Sequence, residues 1–256
     1  MLAEERKDKI INIIEKNRVA KVAELSRLLN TTEATVRRDL EELQKQKKVQ
    51  RVHGGAISVT NTNREFDYRE LSTICIEEKK RIAARAFEFV QDNDALLMDA
   101  STTVFELASL LLHSSLTGLS IITNSFNLVS LLRSSHIRVI HTGGQLSSSM
   151  NYAVGAVGEQ MLSGLRVDKC FLGTNGIDPS YGYSVPSFED ASIKKCMLTS
   201  SRQKFILADH TKFGEAYLAK FASFTGEIDY LITDCLTDKI DVSAFDPNTN
   251  IVLAEA

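Results

Sequence analysis

The sequence predicts an α/β protein built from two parts, a small helical part at the N-terminus and a larger part in which short strands alternate with helices. In residues 1–59, apolar side chains recur every three or four positions, which is the spacing of amphipathic helices. In residues 77–256, short apolar runs typical of buried strands are separated by helical stretches. The chain has 256 residues, 43% of them hydrophobic, so each part is long enough to bury its own core.

The N-terminal part is predicted to contain three helices followed by a β-hairpin. The predicted helices are Glu4–Lys16, Val22–Leu29 and Thr32–Lys47, and the predicted strands are Val49–Val52 and Ala56–Val59. The turn His53-Gly54-Gly55 contains two glycines, which supply the positive φ values that a tight turn needs. This element order is that of a winged helix-turn-helix domain, which the sequence therefore predicts for residues 1–59.

The third predicted helix has the features of a DNA-recognition helix. Val36, Leu40 and Leu43 fall on one face, and a threonine before the first turn can cap its free N–H groups. The N-terminal end of such a helix enters the major groove, and the wing contacts the phosphate backbone. The predicted DNA-binding residues are Thr32, Thr35, Arg37 and Arg38 at the helix, and Arg51 and His53 in the wing.

The charge distribution supports this interpretation. The whole chain has a net charge of -3, but residues 1–57 contain 13 Lys and Arg against 9 Asp and Glu, which leaves the remainder with an excess of acidic residues. A difference of this size also occurs as ordinary surface variation. Because the basic part is the one with the recognition pattern, the asymmetry favours binding to a polyanion.

Residues 60–76 are predicted to form a linker, because much of this segment is polar and without periodicity, and residues 77–256 are predicted to form the second domain. This domain begins with an amphipathic helix, Glu77–Val90. The predicted strands are Ala95–Met98, Ser120–Thr123, Arg138–His141, Lys169–Leu172, Phe205–Ala208 and Tyr230–Thr233, and the main predicted helices between them are Val104–Leu112, Ser125–Ser134, Gly158–Leu165 and Glu189–Ser200. Such alternation predicts a Rossmann-like domain, with a largely parallel sheet covered by helices on both faces.

The predicted strands are followed by small and hydroxylated residues. Ligands of parallel α/β sheets bind beyond the carboxyl ends of the strands, and helix starts with Ser and Thr hydroxyls suit a phosphate. Each such loop alone is also explained by ordinary turn and cap residues, but five of them in register favour a ligand site. The predicted ligand-binding residues are Asp99, Ser101, Thr102, Thr103, Asn124, Gly143, Gly144, Asn175, Glu189, Lys194, Asp209 and Lys212.

Several other classes of protein are not indicated. The four cysteines form no C-x-x-C pair, and G-x-S-x-G, P-loop and H-E-x-x-H motifs do not occur, so neither a metal site nor a cofactor is expected. No apolar run approaches the ~20 residues that span a bilayer. The charged N-terminal sequence is unlike a signal peptide, and the expected location is the cytoplasm.

These motifs resemble the DeoR family of bacterial transcriptional regulators over essentially the whole chain. The resemblance lies in the segments 5–6, 35–40 and 51–56 of the first domain, and 99–103, 123–125, 143–144, 154–155, 172–176, 189–194 and 208–214 of the second. It implies a sensor domain similar in fold to ribose-5-phosphate isomerase. In the family, this domain binds phosphorylated sugars or their derivatives, and the regulator then releases DNA. Two positions depart from the family pattern: Ser101 stands where glycine is usual, and Ser147 where arginine is usual.

The sequence is therefore interpreted as a DNA-binding regulator, a repressor of a carbohydrate-use operon controlled by a phosphorylated sugar. Its expected partners are double-stranded operator DNA and further copies of the chain, in a dimer or tetramer, so that paired recognition helices read repeated half-sites. One alternative is an active sugar-phosphate isomerase with an accessory DNA-binding domain. Another is an interaction module without a ligand, which leaves the strand-end loops unexplained.

Overall fold

The computed structural model describes residues 3–17, 19–46, 48–52, 54–58, 68–147, 151–237 and 242–255. The chain divides into two compact units, Met1–Asn61 and Thr62–Ala256. None of the described helices is long and apolar enough to cross a membrane.

The first unit has the helices and the hairpin that the sequence predicts, and one further strand. Its elements are α1 (Ala3–Asn17), β1 (Val19–Lys21), α2 (Val22–Leu28), α3 (Glu33–Lys45), β2 (Val49–Val52) and β3 (Gly55–Ser58). The strands form an antiparallel sheet in the order β1-β3-β2. Glycine is required at position 55, because a Cβ there would lie 2.2 Å from the carbonyl oxygen of Ala20 on β1. The predicted winged helix-turn-helix is confirmed, whereas the turn residue His53 lies outside the described residues.

The second unit begins with two helices and continues as an α/β alternation. Its elements are α4 (Tyr68–Thr73), α5 (Ile76–Phe87), β4 (Ala95–Met98), α6 (Thr102–Leu112), β5 (Ser120–Thr123), α7 (Phe126–Leu132), β6 (Arg138–His141), β7 (Gln145–Ser147), β8 (Tyr152–Val154), α8 (Ala156–Ser163), β9 (Val167–Gly173), β10 (Gly176–Asp178), β11 (Gly182–Val185), α9 (Phe188–Ser200), β12 (Ser201–Leu207), β13 (Ala219–Ala222), β14 (Tyr230–Thr233) and β15 (Asn250–Leu253). Helix α4 lies within the range predicted as linker, and its Tyr68 ring packs edge-on to Phe105 of α6, so this part of the range belongs to the second unit.

Seven strands form one parallel sheet in the order β15-β14-β12-β9-β4-β5-β6, which confirms the predicted α/β fold. The first strand of this sheet, β4, is an interior strand. The chain adds β5 and β6 on one side of β4 and the later strands on the other side. The winding direction therefore reverses between β4 and β9, and such a reversal opens a crevice at the carboxyl ends of the two strands.

Two cores cover the two faces of the sheet. Because alternate strand residues point to opposite faces, Leu96 and Met98 join the core beneath α5, α6 and α7, whereas Leu97 joins the core beneath α8 and α9. On the first face, the rings of Phe171, Phe205 and Tyr230 stack across three neighbouring strands, with centroid separations of 4.7 and 4.5 Å. A small antiparallel sheet, β10-β11-β13, and the hairpin β7-β8 complete the unit.

Candidate functional site

Helix α3 exposes the residues predicted to contact DNA. The N–H group of Thr35 donates to Oγ1 of Thr32, which caps the helix at its N-terminus (3.2 Å). The opposite face buries Val36, Leu40 and Leu43, as predicted. The side chains of Arg37 and Arg38 are 57% and 82% exposed.

Two ion pairs join the first helix to the recognition helix, and one of them has a buried carboxylate. Asp39 on α3 is buried and accepts two hydrogen bonds from the Arg6 guanidinium on α1, at 2.5 and 3.0 Å. Lys7, one residue later on α1, lies 2.6 Å from a carboxylate oxygen of Glu42. Bidentate arginine–carboxylate pairs add geometric specificity as well as energy. These pairs therefore fix the orientation of α3 relative to α1 in the first unit.

The predicted DNA-binding cations differ in how they are neutralised. Arg37 pairs with Glu33 at 2.6 Å, and Nε of Arg38 lies 3.6 Å from Glu42. Arg51 on β2 is exposed, and the predicted wing residue His53 lies outside the described residues. Exposed ion pairs of this kind contribute little to stability, so either arginine can exchange its carboxylate for a phosphate or a base at small cost.

A pocket in the second unit lies at the carboxyl ends of β4 and β9, where the winding direction reverses. Its lining consists of Leu71, Lys79, Ala100, Ser101, Thr102, Thr103, Tyr152, Gly173, Thr174, Asn175, Asp190, Lys194, Leu207 and Lys212. Six of these residues were predicted as ligand-binding: Ser101, Thr102, Thr103, Asn175, Lys194 and Lys212.

The N-terminus of α6 opens onto this pocket. Ser101 caps the helix, its Oγ accepting from the Val104 N–H at 3.2 Å. The N–H groups of Thr102 and Thr103 belong to the first turn and have no acceptor within the helix. Such groups, together with the positive end of the helix dipole, form an anion-binding position.

Lys194 is held in the pocket wall by Asp99. The Lys194 ammonium donates to Oδ2 of Asp99 and, at 3.1 Å, to the carbonyl oxygen of Gly173. Asp99 also accepts from the N–H groups of Ser101 (2.9 Å) and Gly173 (2.8 Å), so it ties the ends of β4 and β9 together. Burial works against the charge of Lys194, but Asp190 and Asp99 outweigh it and raise the pKa of this lysine. Asp99 is therefore engaged by protein groups, and its contact with a ligand stays a prediction.

A second group of charges contains Lys79, Lys212 and Asp209. Asp209 is fully buried, and its Oδ2 lies 3.5 Å from Nζ of Lys212. Lys79, from α5, is 2% exposed and donates to the carbonyl oxygen of Leu71 on α4. Burial, together with the nearby charge of Lys212, lowers the pKa of Lys79 to about 8. Among the described residues, no carboxylate lies within ion-pair distance of Lys79, and Asp209 and Glu106 favour its charge only from further away.

Six predicted ligand-binding residues are not part of the pocket lining: Asp99 and Asp209, described above, and Asn124, Gly143, Gly144 and Glu189. Asn124 donates to the carbonyl oxygen of Ala153 and so fastens β8, and Glu189 is exposed beside the Ser187 cap of α9. Gly143 and Gly144 have positive φ and follow β6, two strands away from β4. Their position at a strand end reflects turn and cap requirements, because the ends of β5 and β6 lie away from the crevice.

Lys79 is the principal pocket residue that the sequence reasoning missed. The run Glu77-Glu78-Lys79-Lys80 has the composition of a solvated helix start. A usable signal was present, because Lys79 precedes the buried residues Ile82 and Ala83 by three and four positions and therefore shares their face.

His210, which follows the strand β12, is paired with Asp234. Its Nδ1 lies 2.7 Å from Oδ2 of Asp234, and its N–H donates to Oδ1 at 2.7 Å. With Cys235 these residues place three possible metal ligands within 4.8 Å of one another, the one such group found among the described residues. The hydrogen bonds of His210 and Asp234 explain this arrangement without an ion.

The His210–Asp234 pair makes stability depend on pH. Its hydrogen bond raises the pKa of His210 above 6.5, so its stabilisation is present below that pH and is lost as the pH rises through the folded-state pKa. We expect the free energy of unfolding lost in Asp234→Asn to be larger at about pH 6 than at about pH 8.5. Urea denaturation of both proteins at each pH measures this difference, and an equal loss at the two pH values would contradict it.

Both units match one family of proteins. The profile described as "DeoR-like helix-turn-helix domain" matches residues 6–62, and the profile described as "DeoR C terminal sensor domain" matches residues 74–235. The chain is 37% identical to the uncharacterized HTH-type transcriptional regulator YulB of Bacillus subtilis, over 96% of this chain and 94% of that protein. It is 34% identical to the lactose phosphotransferase system repressor of Staphylococcus epidermidis (90% and 91%) and 32% identical to the HTH-type transcriptional repressor GlcR of Bacillus subtilis (97% and 95%).

Solved structures similar to the chain include the ribose 5-phosphate isomerase A of Methanocaldococcus jannaschii, with a TM-score of 0.41 and 17% identity over 55% of this chain and 57% of that one. Another is the translation initiation factor eIF-2B of Pyrococcus horikoshii, with a TM-score of 0.46 and 14% identity over 83% and 67%.

Proposed function

Since the chain belongs to the DeoR family of helix-turn-helix transcriptional regulators, we propose that it represses a carbohydrate-use operon and that a phosphorylated sugar in the second-unit pocket controls its binding to operator DNA. The observation that carries the proposal is the buried ammonium of Lys79, which lines the same pocket as the N-terminus of α6 and has no ion-paired carboxylate among the described residues.

The first unit supplies the DNA contacts in this proposal. Arg37 and Arg38 enter the major groove at the start of α3, with Thr35 beside them, and Arg51 contacts the backbone from the wing. The ion pairs from Arg6 and Lys7 hold α3 on its domain while its exposed face binds. A homo-oligomer presents two such helices to repeated half-sites, and sedimentation of the full chain measures whether it forms.

In the second unit, the phosphate lies between the start of α6 and the lysines. The N–H groups of Thr102 and Thr103 donate from one side, and Lys79 and Lys212 supply positive charge from the other. Asn175 and Asp190, across the pocket, contact the sugar hydroxyls. The relative named as the lactose phosphotransferase system repressor is consistent with a sugar-derived ligand.

We propose binding without turnover. An isomerase needs a carboxylate free to remove a proton from its substrate, whereas Asp99 and Asp209 are both buried against lysines. The relatives matched over nearly their full length are regulators. Incubating the pure protein with ribose or hexosamine phosphates separates the two functions, because isomerised product would favour the enzyme.

Calorimetry with a panel of sugar phosphates tests the binding site. We expect the wild-type protein to bind at least one member and the double variant Thr102→Ala/Lys212→Ala to bind it at least about tenfold more weakly, because charge-assisted hydrogen bonds to phosphate are lost. Lys80→Met is the matched control, since Lys80 is exposed and pairs with Glu77 on the same helix as Lys79. Equal affinity in the double variant would remove this site.

Binding of a phosphate beside Lys79 also takes up protons. At about pH 8 this lysine is half protonated, and a nearby anion raises its pKa, while a phosphate ester with a second pKa near 6 is already fully ionised. We therefore expect an uptake of up to about half a proton per ligand near pH 8. Calorimetry in buffers of different ionisation enthalpy measures it, and the uptake should disappear in Lys79→Met.

A further inference from the structure

Resting on the proposed function, we propose that Lys79 couples occupancy of the pocket to helix α4: an anion bound beside Lys79 strengthens its hold on the Leu71 carbonyl and fixes α4 in place. Two observations meet at this residue. Its side chain lines the pocket, and its ammonium donates to a main-chain oxygen of α4. Leu71 itself also lines the pocket, so α4 is part of the wall that a ligand touches.

Helix α4 depends on outside contacts for its position. It has six residues, and isolated helices of that length are not stable in water. Its last carbonyls have no partner within the helix, and the ammonium of Lys79 satisfies that of Leu71 at the negative end of the helix dipole. The edge-on contact of Tyr68 with Phe105, at 6.2 Å between ring centroids, is a second anchor. Tyr68 also forms a side-chain hydrogen bond with Asn127, and the Lys79 ammonium is the contact of α4 that lies in the pocket.

The charges around Lys79 explain why an anion strengthens this hold. The charged groups that act on its ammonium are Lys212, which repels it, and Asp209 and Glu106, which favour its charge, while the nearby Cys75 thiol is kept neutral by burial, which raises its pKa. A phosphate placed between Lys79 and Lys212 removes the repulsion and keeps Lys79 protonated. An ammonium has three donors, so it can bind the phosphate and the Leu71 carbonyl at once, and a charged donor makes the stronger hydrogen bond.

The position of α4 in the chain gives this coupling a consequence. In chain order it is the first described element after β3, and it is therefore the described element of the second unit that is nearest in sequence to the DNA-binding unit. The ligand can bias DNA binding only as far as it binds the protein more tightly when α4 is fixed than when α4 is loose. The difference between these two binding free energies is the largest shift that the pocket can impose.

Hydrogen exchange of the full chain, measured by mass spectrometry in inorganic phosphate and in chloride at equal ionic strength, tests the coupling. We expect peptides covering 68–73 to exchange at least about threefold more slowly in phosphate in the wild type and in the Lys80→Met control. In Lys79→Met, the exchange of 68–73 should be the same in phosphate and in chloride. The phosphate concentration is chosen so that the start of α6, at 102–105, is still protected in this variant. Methionine keeps the length of the side chain and removes the donor.

The outcomes separate the coupling from the binding site. If phosphate protects 102–105 in the wild type but leaves 68–73 unchanged, the pocket binds an anion and the coupling is wrong. If Lys79→Met retains the phosphate-dependent protection of 68–73, another contact holds α4 and the role of Lys79 is wrong. If neither segment responds and calorimetry with the sugar-phosphate panel gives no heat, the proposed ligand site fails and the coupling fails with it.

Discussion

Asp99→Ala is expected to destabilise the second unit by about 3 to 5 kcal/mol, because the buried Lys194 ammonium loses its hydrogen-bonded carboxylate and keeps only Asp190, at 3.9 Å. Asp99 is 1% exposed and Lys194 is 4% exposed, so water cannot replace the lost partner. The same carboxylate accepts from the N–H groups of Ser101 and Gly173, which then lose their acceptors. Chemical denaturation, monitored at the unfolding transition of the second unit, measures the loss of unfolding free energy.

A double-mutant cycle gives the control for this prediction. Asp99→Ala/Lys194→Met removes both charges, and we expect it to be less destabilised than the sum of the two single variants, since neither charge is then buried alone. A loss below about 1 kcal/mol in Asp99→Ala, the range of an exposed ion pair, would show that the pair does not organise the strand ends.

Arg37→Ala/Arg38→Ala is expected to weaken operator binding by about 10²-fold or more, since a base-contacting arginine is worth ~1 to 3 kcal/mol of discrimination. The operator is first selected from a pool of random duplexes with the wild-type protein, and affinity is then measured by mobility shift at fixed salt. Lys45→Ala is the matched control, because Lys45 is an exposed cation at the other end of α3. Unchanged operator binding by the double variant would show that α3 does not read DNA.

Much of the second unit could be predicted because its strands are bounded by turn residues. The predicted bounds of β4, β5, β6 and β14 are those of the structure, since each apolar run ends at a polar or glycine-containing segment. The strand β1, the hairpin β7-β8 and the small sheet β10-β11-β13 were missed. The edge strand β15 was missed as well. Most of these strands contain a glycine or a polar residue among their three or four positions, so they lack the apolar run by which the equally short strands of the main sheet were found.

The candidate site was only partly predictable, because a strand-end position does not say which strands are neighbours. Thr102 and Asn175 meet because β4 and β9 are adjacent, although more than 70 residues separate them in the chain. Gly144 follows β6, two strands from β4, and packs against β8 instead, where a Cβ would lie 2.4 Å from the Val154 carbonyl oxygen. Lys79 reaches the pocket from a helix that precedes the sheet, so no strand-end rule could include it.

The two departures from the family pattern differ in their structural consequences. Ser101 caps α6, and its Cβ lies where a side chain on Gly173 would clash, with only 2.3 Å between the two Cβ positions. The serine therefore fits the crevice because the facing position is glycine. Ser147 lies on β7, outside the pocket lining, so the anion position at α6 does not depend on it.

Operator affinity measured with and without a bound sugar phosphate tests most directly whether the pocket controls the DNA-binding unit. Mobility-shift titrations of the full chain at fixed salt would use the panel member that binds in calorimetry, at saturating concentration. The proposal predicts that the ligand changes the operator affinity of the wild type by about tenfold or more and leaves that of Thr102→Ala/Lys212→Ala unchanged at the same concentration. An operator affinity of the wild type that stays the same under saturating ligand would contradict the proposal. It would mean that the ligand binds the DNA-binding and the non-binding states of the protein equally and leaves their equilibrium unchanged.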